Sequence, residues 1–317
     1  MRTPRPVTVS RSSTLVKTAL RGSARGDYRL AEQRLQQALK LARSSTTLSE
    51  VGRPALWNEL GMVCKYLGKF DKAERYYRRA LRYARRFSKT ADREFFLADL
   101  YHNLGGLEHA RQHFSRAETY ARKGLQLRLG CAKPDSIAVA ADRAALAAIL
   151  DGLDKHAESE RHYRAALRTY RREYGPDHLE IALILNNLGA LCQATGRTRR
   201  AEFYCRSALE MKRRKLGDSH PDVAVTMNNL GMLYVGLGKS SLARVYLQQA
   251  VQILKATLGA RHPSTRAVGR MVIELSDERE APETATLVVP SCSQALSNQP
   301  VRPGGSVAGA QNNASRC

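Results

Sequence analysis

Leu185-Asn186-Asn187-Leu188-Gly189-Ala190-Leu191-Cys192, then Gly196, then Ala201-Glu202-Phe203-Tyr204 and Ala208-Leu209, decides the fold because it comes back. One period later the chain reads Met227-Asn228-Asn229-Leu230-Gly231-Met232-Leu233-Tyr234, then Gly238, Ala243 and Ala250-Val251. A shorter signature, Ala-Glu followed by Ala-Leu, extends the pattern upstream at Ala31-Glu32 and Ala73-Glu74, with weaker copies at Ala117-Glu118, Ser159-Glu160 and Ala243-Arg244. With Ala201-Glu202 included, successive copies stand 42, 44, 42, 42 and 42 residues apart. A fixed period in this range marks a solenoid of stacked supersecondary units.

Each half of the unit places apolar residues at helical spacing, such as Leu185, Leu188 and Cys192. The glycine between the halves suits a helix end followed by a tight turn. Gly189, Ala201 and Ala208 are small where two helices must approach. The unit is a helical hairpin, and six in a row predict an all-α, right-handed superhelical solenoid.

The pattern resembles the tetratricopeptide repeat. That family's slots for a large apolar residue, Leu-Gly, an aromatic, and later Ala, an aromatic and Ala hold Trp57, Leu60-Gly61, Cys64, Ala73, Tyr77 and Ala80 in one copy. In another they hold Met227, Leu230-Gly231, Tyr234, Ala243, Leu247 and Ala250. The period exceeds the usual 34 or so residues. The extra length falls in the second helix and the loop after it, which carries Leu216-Gly217-Asp218-Ser219-His220-Pro221 and Leu258-Gly259-Ala260-Arg261-His262-Pro263, with a weaker Tyr174-Gly175-Pro176-Asp177-His178. The long period, the Asn-Asn-Leu start and the Gly-x-x-His-Pro loop are similar to the kinesin-light-chain type of this repeat. Departures occur: Ala144-Ala145 replaces Asn-Asn, and Asp154 and Gln112 stand where other copies have Gly. The half-repeat from Ser13 to Gly22 is nearly patternless, and a last helix from Pro263 to Leu275 has no second half. The expected organisation is a basic disordered N-terminus at 1–11, the array at 12–277, and a Pro-, Gly-, Ser- and Asn-rich disordered tail at 278–317.

The chain is 43% hydrophobic and 26% charged, ordinary for a folded soluble protein. No run approaches the ~18 apolar residues of a membrane span. Its net charge is +23, and the tail from Asp277 holds four acids against three arginines, so the array carries most of the excess. Pairs such as Arg78-Arg79, Arg171-Arg172 and Arg199-Arg200 fall on second helices, the outer side of such solenoids. They read as solvated faces or as attraction for acidic partners, nucleic acid included. Six scattered cysteines without a CxxC pair suit a reducing cytoplasm, and Cys64, Cys192 and Cys205 fall on core slots. The Arg- and Ser-rich, acid-free N-terminus lacks a secretory core; a transit peptide is the alternative reading.

No phosphate loop, dinucleotide fingerprint, HExxH or GxSxG is present, so neither an enzyme nor a cofactor is expected. His109 and His113, four apart, would share a helix face, but the repeat frame puts His113 in a turn and Glu108 in a core slot, so no metal site is expected. His178, His220 and His262 recur at one loop position and are read as helix caps.

First helices line the concave side of a hairpin solenoid, and the residues before Leu-Gly point partly into that groove. The candidate site is Asn58, Lys65, His102, Asn103, Asn186, Asn187, Gln193, Asn228 and Asn229. Amide side chains both donate and accept. In peptide-binding members of the resembled family, asparagines at these slots hold the backbone of an extended peptide; the alternative is that they cap or bridge neighbouring helices. Ala144-Ala145 interrupts the ladder, so a peptide site is split or confined to the two C-terminal repeats. The leading expectation is a non-enzymatic scaffold or adaptor that binds a protein or peptide segment, acidic segments being favoured by the basic array. The alternative is a nucleic-acid-binding or transcription-associated factor using the basic surface. Against it stand the absence of a helix-turn-helix, RNP or zinc-finger pattern and only 6% aromatics. Oligomeric state and partner identity are not written in the sequence.

Overall fold

The computed structural model describes residues 6–43, 52–86, 90–132 and 134–277, the side chains of 6–13, 24, 43, 276 and 277 excepted. Residues 1–5 and the tail read as disordered lie outside them. The described residues form helices and no strand. In chain order these are α1 (Pro6–Ala24), α2 (Tyr28–Arg43), α3 (Gly52–Tyr66), α4 (Phe70–Ala84), α5 (Ala91–Ala110), α6 (Phe114–Leu129), α7 (Ser136–Asp151), α8 (His156–Tyr174), α9 (Leu179–Ala194), α10 (Thr198–Leu216), α11 (Pro221–Gly236), α12 (Ser240–Thr257) and α13 (Pro263–Asp277). They pair as six hairpins, α1 with α2 through α11 with α12, and α13 packs on α12. The first helix starts at Pro6, ahead of the expected boundary at 12. Proline suits a first helical position because its fixed φ and missing N–H cost nothing there.

The small residues of the repeat lie where the hairpin closes. Ala73, Ala80, Ala201, Ala208, Ala243 and Ala250 are fully buried. A Cβ on Gly61 would stand 2.5 Å from the Tyr77 ring, and one on Gly189 would overlap Cys205 Sγ. The Leu-Gly pair is therefore a requirement for space. Each hairpin turn also needs a left-handed residue. Gly26, Gly68, Gly196 and Gly238 supply it with φ between 67° and 80°, but Gln112 and Asp154 adopt it at 63° and 58° despite their side chains. The loop histidines cap as read: Nδ1 of His178, His220 and His262 accepts from the backbone N–H of Glu180, Asp222 and Ser264 at 3.3, 3.1 and 3.2 Å.

The glutamate of the Ala-Glu signature joins one hairpin to the next. Glu32 pairs with Lys69, Glu74 with Arg111 at 2.6 Å, Glu118 with Lys155 at 2.8 Å and Glu160 with Arg197 at 3.0 Å. The partners stand 37 residues apart each time. At the fifth hairpin Glu202 takes the Tyr234 hydroxyl instead, at 2.9 Å. At the sixth, with no further hairpin to hold, the slot becomes Arg244, whose Nη2 donates to the Leu275 carbonyl at 2.6 Å and fastens the end of α13. The terminal helix read as having no second half is thus held by a change of sign in the signature.

The array also comes full circle. A Cβ on Gly26 would stand 3.0 Å from Pro221 Cδ, and one on Gly68 would stand 2.7 Å from Pro263 Cδ. Arg29 Nη2 donates to the Leu258 carbonyl at 3.3 Å, and His262 Nε2 lies 2.8 Å from the Tyr66 carbonyl. Leu258 packs against apolar clusters from both ends of the chain. Hairpin turns of the first two repeats thus rest on the loops that open α11 and α13.

Candidate functional site

The first helices α3, α5, α7, α9 and α11 pack on one another in sequence and form the inner wall. The position one residue after each Leu-Gly pair, or after Leu146-Ala147 in α7, runs along it as Met62, Gly106, Ala148, Ala190 and Met232. Its two ends differ. Met62, Gly106 and Ala148 remain partly exposed. Ala190 and Met232 are buried, with Met271 of α13 packed against both. The closing helix thus covers Ala190 and Met232 at the C-terminal part of the wall, one of the two placements, split or C-terminal, that the interrupted asparagine ladder allows, and leaves the row partly exposed from α3 to α7.

The asparagines themselves are mostly engaged between helices. Asn103 Nδ2 donates to Asn58 Oδ1 at 2.8 Å, and Asn229 Nδ2 donates to Asn186 Oδ1 at 3.0 Å, each bond joining consecutive inner helices. Asn186 Nδ2 also donates to Asn187 Oδ1 at 3.3 Å. Asn187 is half-buried; burial pushes the hydroxyl of Tyr163 well above its usual range, and Asn187 works weakly against that shift. Asn228 is fully buried with neither amide atom paired. Of the two readings of the ladder, these bonds are those of helix bridging. Gln193 is half-buried on the wall.

His102 belongs to a buried charge network that sequence reasoning missed. Its Nδ1 lies 2.7 Å from Asp142 Oδ1. Arg128 Nε donates to Asp142 Oδ2 at 2.5 Å, and Arg128 Nη2 donates to Asp99 Oδ1 at 2.8 Å. Burial pushes Asp142 up, but the hydrogen bonds and charges of His102 and Arg128 outweigh it and hold the carboxyl below its usual value. Asp99 is held above its usual value, mainly by burial. Glu59, beside Asn58, is pushed up to about 7 by burial and by the charge of Asp99, and its Oε2 is buried without a partner. The signal was present, since Asp99, Arg128 and Asp142 interrupt apolar helical faces, but which charges meet depends on how α5, α6 and α7 cross.

Chemistry is scarce elsewhere. Among the described residues no three His, Cys, Asp or Glu side chains gather as a metal site. His113 turns to Glu108, with Nδ1 3.0 Å from Oε2, and Arg111 and Arg116 share the same buried carboxylate. Burial pushes the Cys64 and Cys205 thiols up to about 12, so both are unreactive core residues. No helix among the described residues is long and apolar enough to cross a membrane.

A family model described as tetratricopeptide repeat matches residues 52–129, 137–214 and 204–256. The chain belongs to the tetratricopeptide repeat family. Solved structures with similar folds include a Rap protein complexed with Competence and Sporulation Factor: 11% identity, 84% of this chain and 75% of that one covered, TM-score 0.60. The apo form of RapI is 12% identical over 85% of this chain and 98% of that one, at a TM-score of 0.54. BtubC (BKLC) from P. vanneervenii is 21% identical over 90% of this chain and 99% of that one, but its TM-score of 0.48 bears no weight. No curated protein matches the chain significantly. These likenesses concern fold; the tetratricopeptide array needs only its small and apolar slots, which leave the wall-facing residues free to vary.

Proposed function

We propose that this chain is a non-enzymatic scaffold that holds a segment of a partner protein along the open stretch of its inner wall, from α3 to α7. The observation that carries the reading is the contrast along one row. Met62, Gly106 and Ala148 are partly exposed, whereas Ala190 and Met232 of the same row are already covered by Met271. A row of small and flexible apolar side chains offers room for a chain of variable sequence. The asparagines contribute by setting the spacing of the inner helices, and Asn187 and Gln193 remain partly accessible for contacts to a bound backbone. Support by analogy of fold comes from the Rap protein complexed with Competence and Sporulation Factor. Some convex arginines are paired with the Ala-Glu glutamates, as in Arg122 with Glu118 and Arg164 with Glu160, which lowers their appeal as phosphate contacts.

The test is site-specific photo-crosslinking in cells, with the reactive amino acid at Ala148 or at Arg199 on α10. Adducts to a protein are expected from Ala148 and not from Arg199, and Gly106→Leu, which fills the wall, should abolish them. Nucleic-acid adducts from Arg199 with none from Ala148 would move the working surface to the outer face.

A further inference from the structure

One slot of the repeat changes character at the end of the array. Ala19, Gly61, Gly105, Ala147, Gly189 and Gly231 occupy it in the six hairpins, and all are buried. The second helix of the hairpin closes over it: a Cβ on Gly231 would stand 2.6 Å from Leu247 Cγ, as one on Gly61 would meet the Tyr77 ring. Forty-two residues after Gly231 the slot falls on Ile273 of α13, which is 60% exposed. No second helix follows α13 among the described residues. Arg266 and Arg270 stand seven and three residues before Ile273, on the same helix face, and Glu274 stands beside it. All three charged side chains are exposed, and none enters an ion pair among the described residues. The face is thus basic toward the start of α13, apolar at Ile273 and acidic at Glu274.

A slot that a helix covers in six copies and that stands open in the seventh suits a helix from elsewhere. A second helix of the chain's own would again need Gly or Ala there, since the hairpins pack a small residue against a larger one. A contact between identical helices cannot be built that way, because both sides carry the same residue. It needs a side chain of middle size, and isoleucine is one. We propose that a second copy of this chain docks on this face, its α13 lying antiparallel across the first about a two-fold axis between the two Ile273 side chains. Antiparallel pairing brings Arg270 of each copy toward Glu274 of the other, whereas parallel pairing would set Arg270 against Arg270. The helix has 15 residues and is about 22 Å long. Two such faces bury on the order of 1,000 Å², the low end for a specific interface, so the dimer is a weak one that forms at micromolar concentration and above. It does not depend on what the inner wall holds.

The test is sedimentation equilibrium of the full chain from about 1 to about 200 μM. The average mass should rise from that of one chain toward that of two and no further. Ile273→Arg should weaken association by ~tenfold or more. Because the residue is exposed, the circular dichroism and melting of the dilute protein should not change. Arg270→Glu and Glu274→Arg should each weaken association by about tenfold, since the two-fold axis counts every change twice, and the two together should restore it. Phe203→Arg, at an exposed aromatic on α10, should leave it unaltered. An equal mixture of isotopically light and heavy chains, each with a photo-reactive amino acid in place of Arg266, should give adducts that join α13 of a light chain to α13 of a heavy one. A single-chain mass at every concentration, an undiminished dimer in Ile273→Arg, no recovery in the double reversal, or dissociation by Phe203→Arg would overturn the proposal. Adducts confined to one chain and reaching residues 278–317 would overturn it too, and would assign the face to the chain's own continuation.

Discussion

Closure of the circle is the feature most open to a single substitution, at His262. The side chain is 5% exposed and serves two roles. Nδ1 accepts from Ser264 N–H, which fixes the proton on Nε2, and Nε2–H then donates to the Tyr66 carbonyl at 2.8 Å. His262→Ala removes both: a cap is worth about 1 kcal/mol and a hydrogen bond about 0.5–1.5 kcal/mol, so the loss should be about 2 kcal/mol. His262→Asn separates them. Asparagine can still cap α13 but is too short to reach Tyr66, and the loss should be about 1 kcal/mol, all of it from closure. The pH dependence follows from the same geometry. A second proton would go to Nδ1, where it would face an N–H, and burial accordingly holds His262 below the usual histidine value, although the bond to Tyr66 works the other way. Because the folded value lies below the unfolded one, the unfolded chain binds more protons between them and stability rises with pH there. The contribution is therefore complete above about 6.5 and drains away as pH falls below it. Equilibrium urea unfolding at about pH 7.5 and about pH 5.5, with small-angle scattering on the same samples, measures both effects. His262→Asn should be less stable at the higher pH, should show a smaller difference from wild type at the lower, and should have a larger radius of gyration. Equal stability, equal pH dependence and an unchanged radius would refute closure as a stabilising contact.

Three further outcomes are expected. Gln112→Gly and Asp154→Gly relieve left-handed backbone at φ 63° and 58° and should each raise stability by about 0.5–1 kcal/mol in urea unfolding, whereas Gly68→Ala, strained at 69° and crowded by Pro263, should lose more than that. Leu188→Ala and Leu230→Ala empty buried slots and should each cost about 2–5 kcal/mol; neutral results from both would mean that the repeat register is wrong. Asn229→Ala strands Asn186 Oδ1 between helices and should cost about 1–3 kcal/mol before any effect on partner binding is considered, so binding by asparagine variants has to be compared at matched folded fractions.

The sequence by itself determined the hairpin, its period and the number of copies. It could do so because these depend on contacts within one unit or between neighbours. Gly61 and Gly189 are forced by the helix facing them, the left-handed turn by the chain's own geometry, and the caps at His178, His220 and His262 by the adjacent N–H. The candidate row along the first helices was legible for the same reason. Its state was not. Whether Asn186 meets a ligand or Asn229, whether Met271 lies over Ala190, and whether the Tyr66 carbonyl meets a histidine near the far end of the array are set by small rotations between hairpins that accumulate along the solenoid. No local pattern encodes that sum. Lys65 is the clearest instance: its residue type and slot were plain, but only the crossing of α3 over α5 decided that it would be covered and that its ammonium would lie against Gly106.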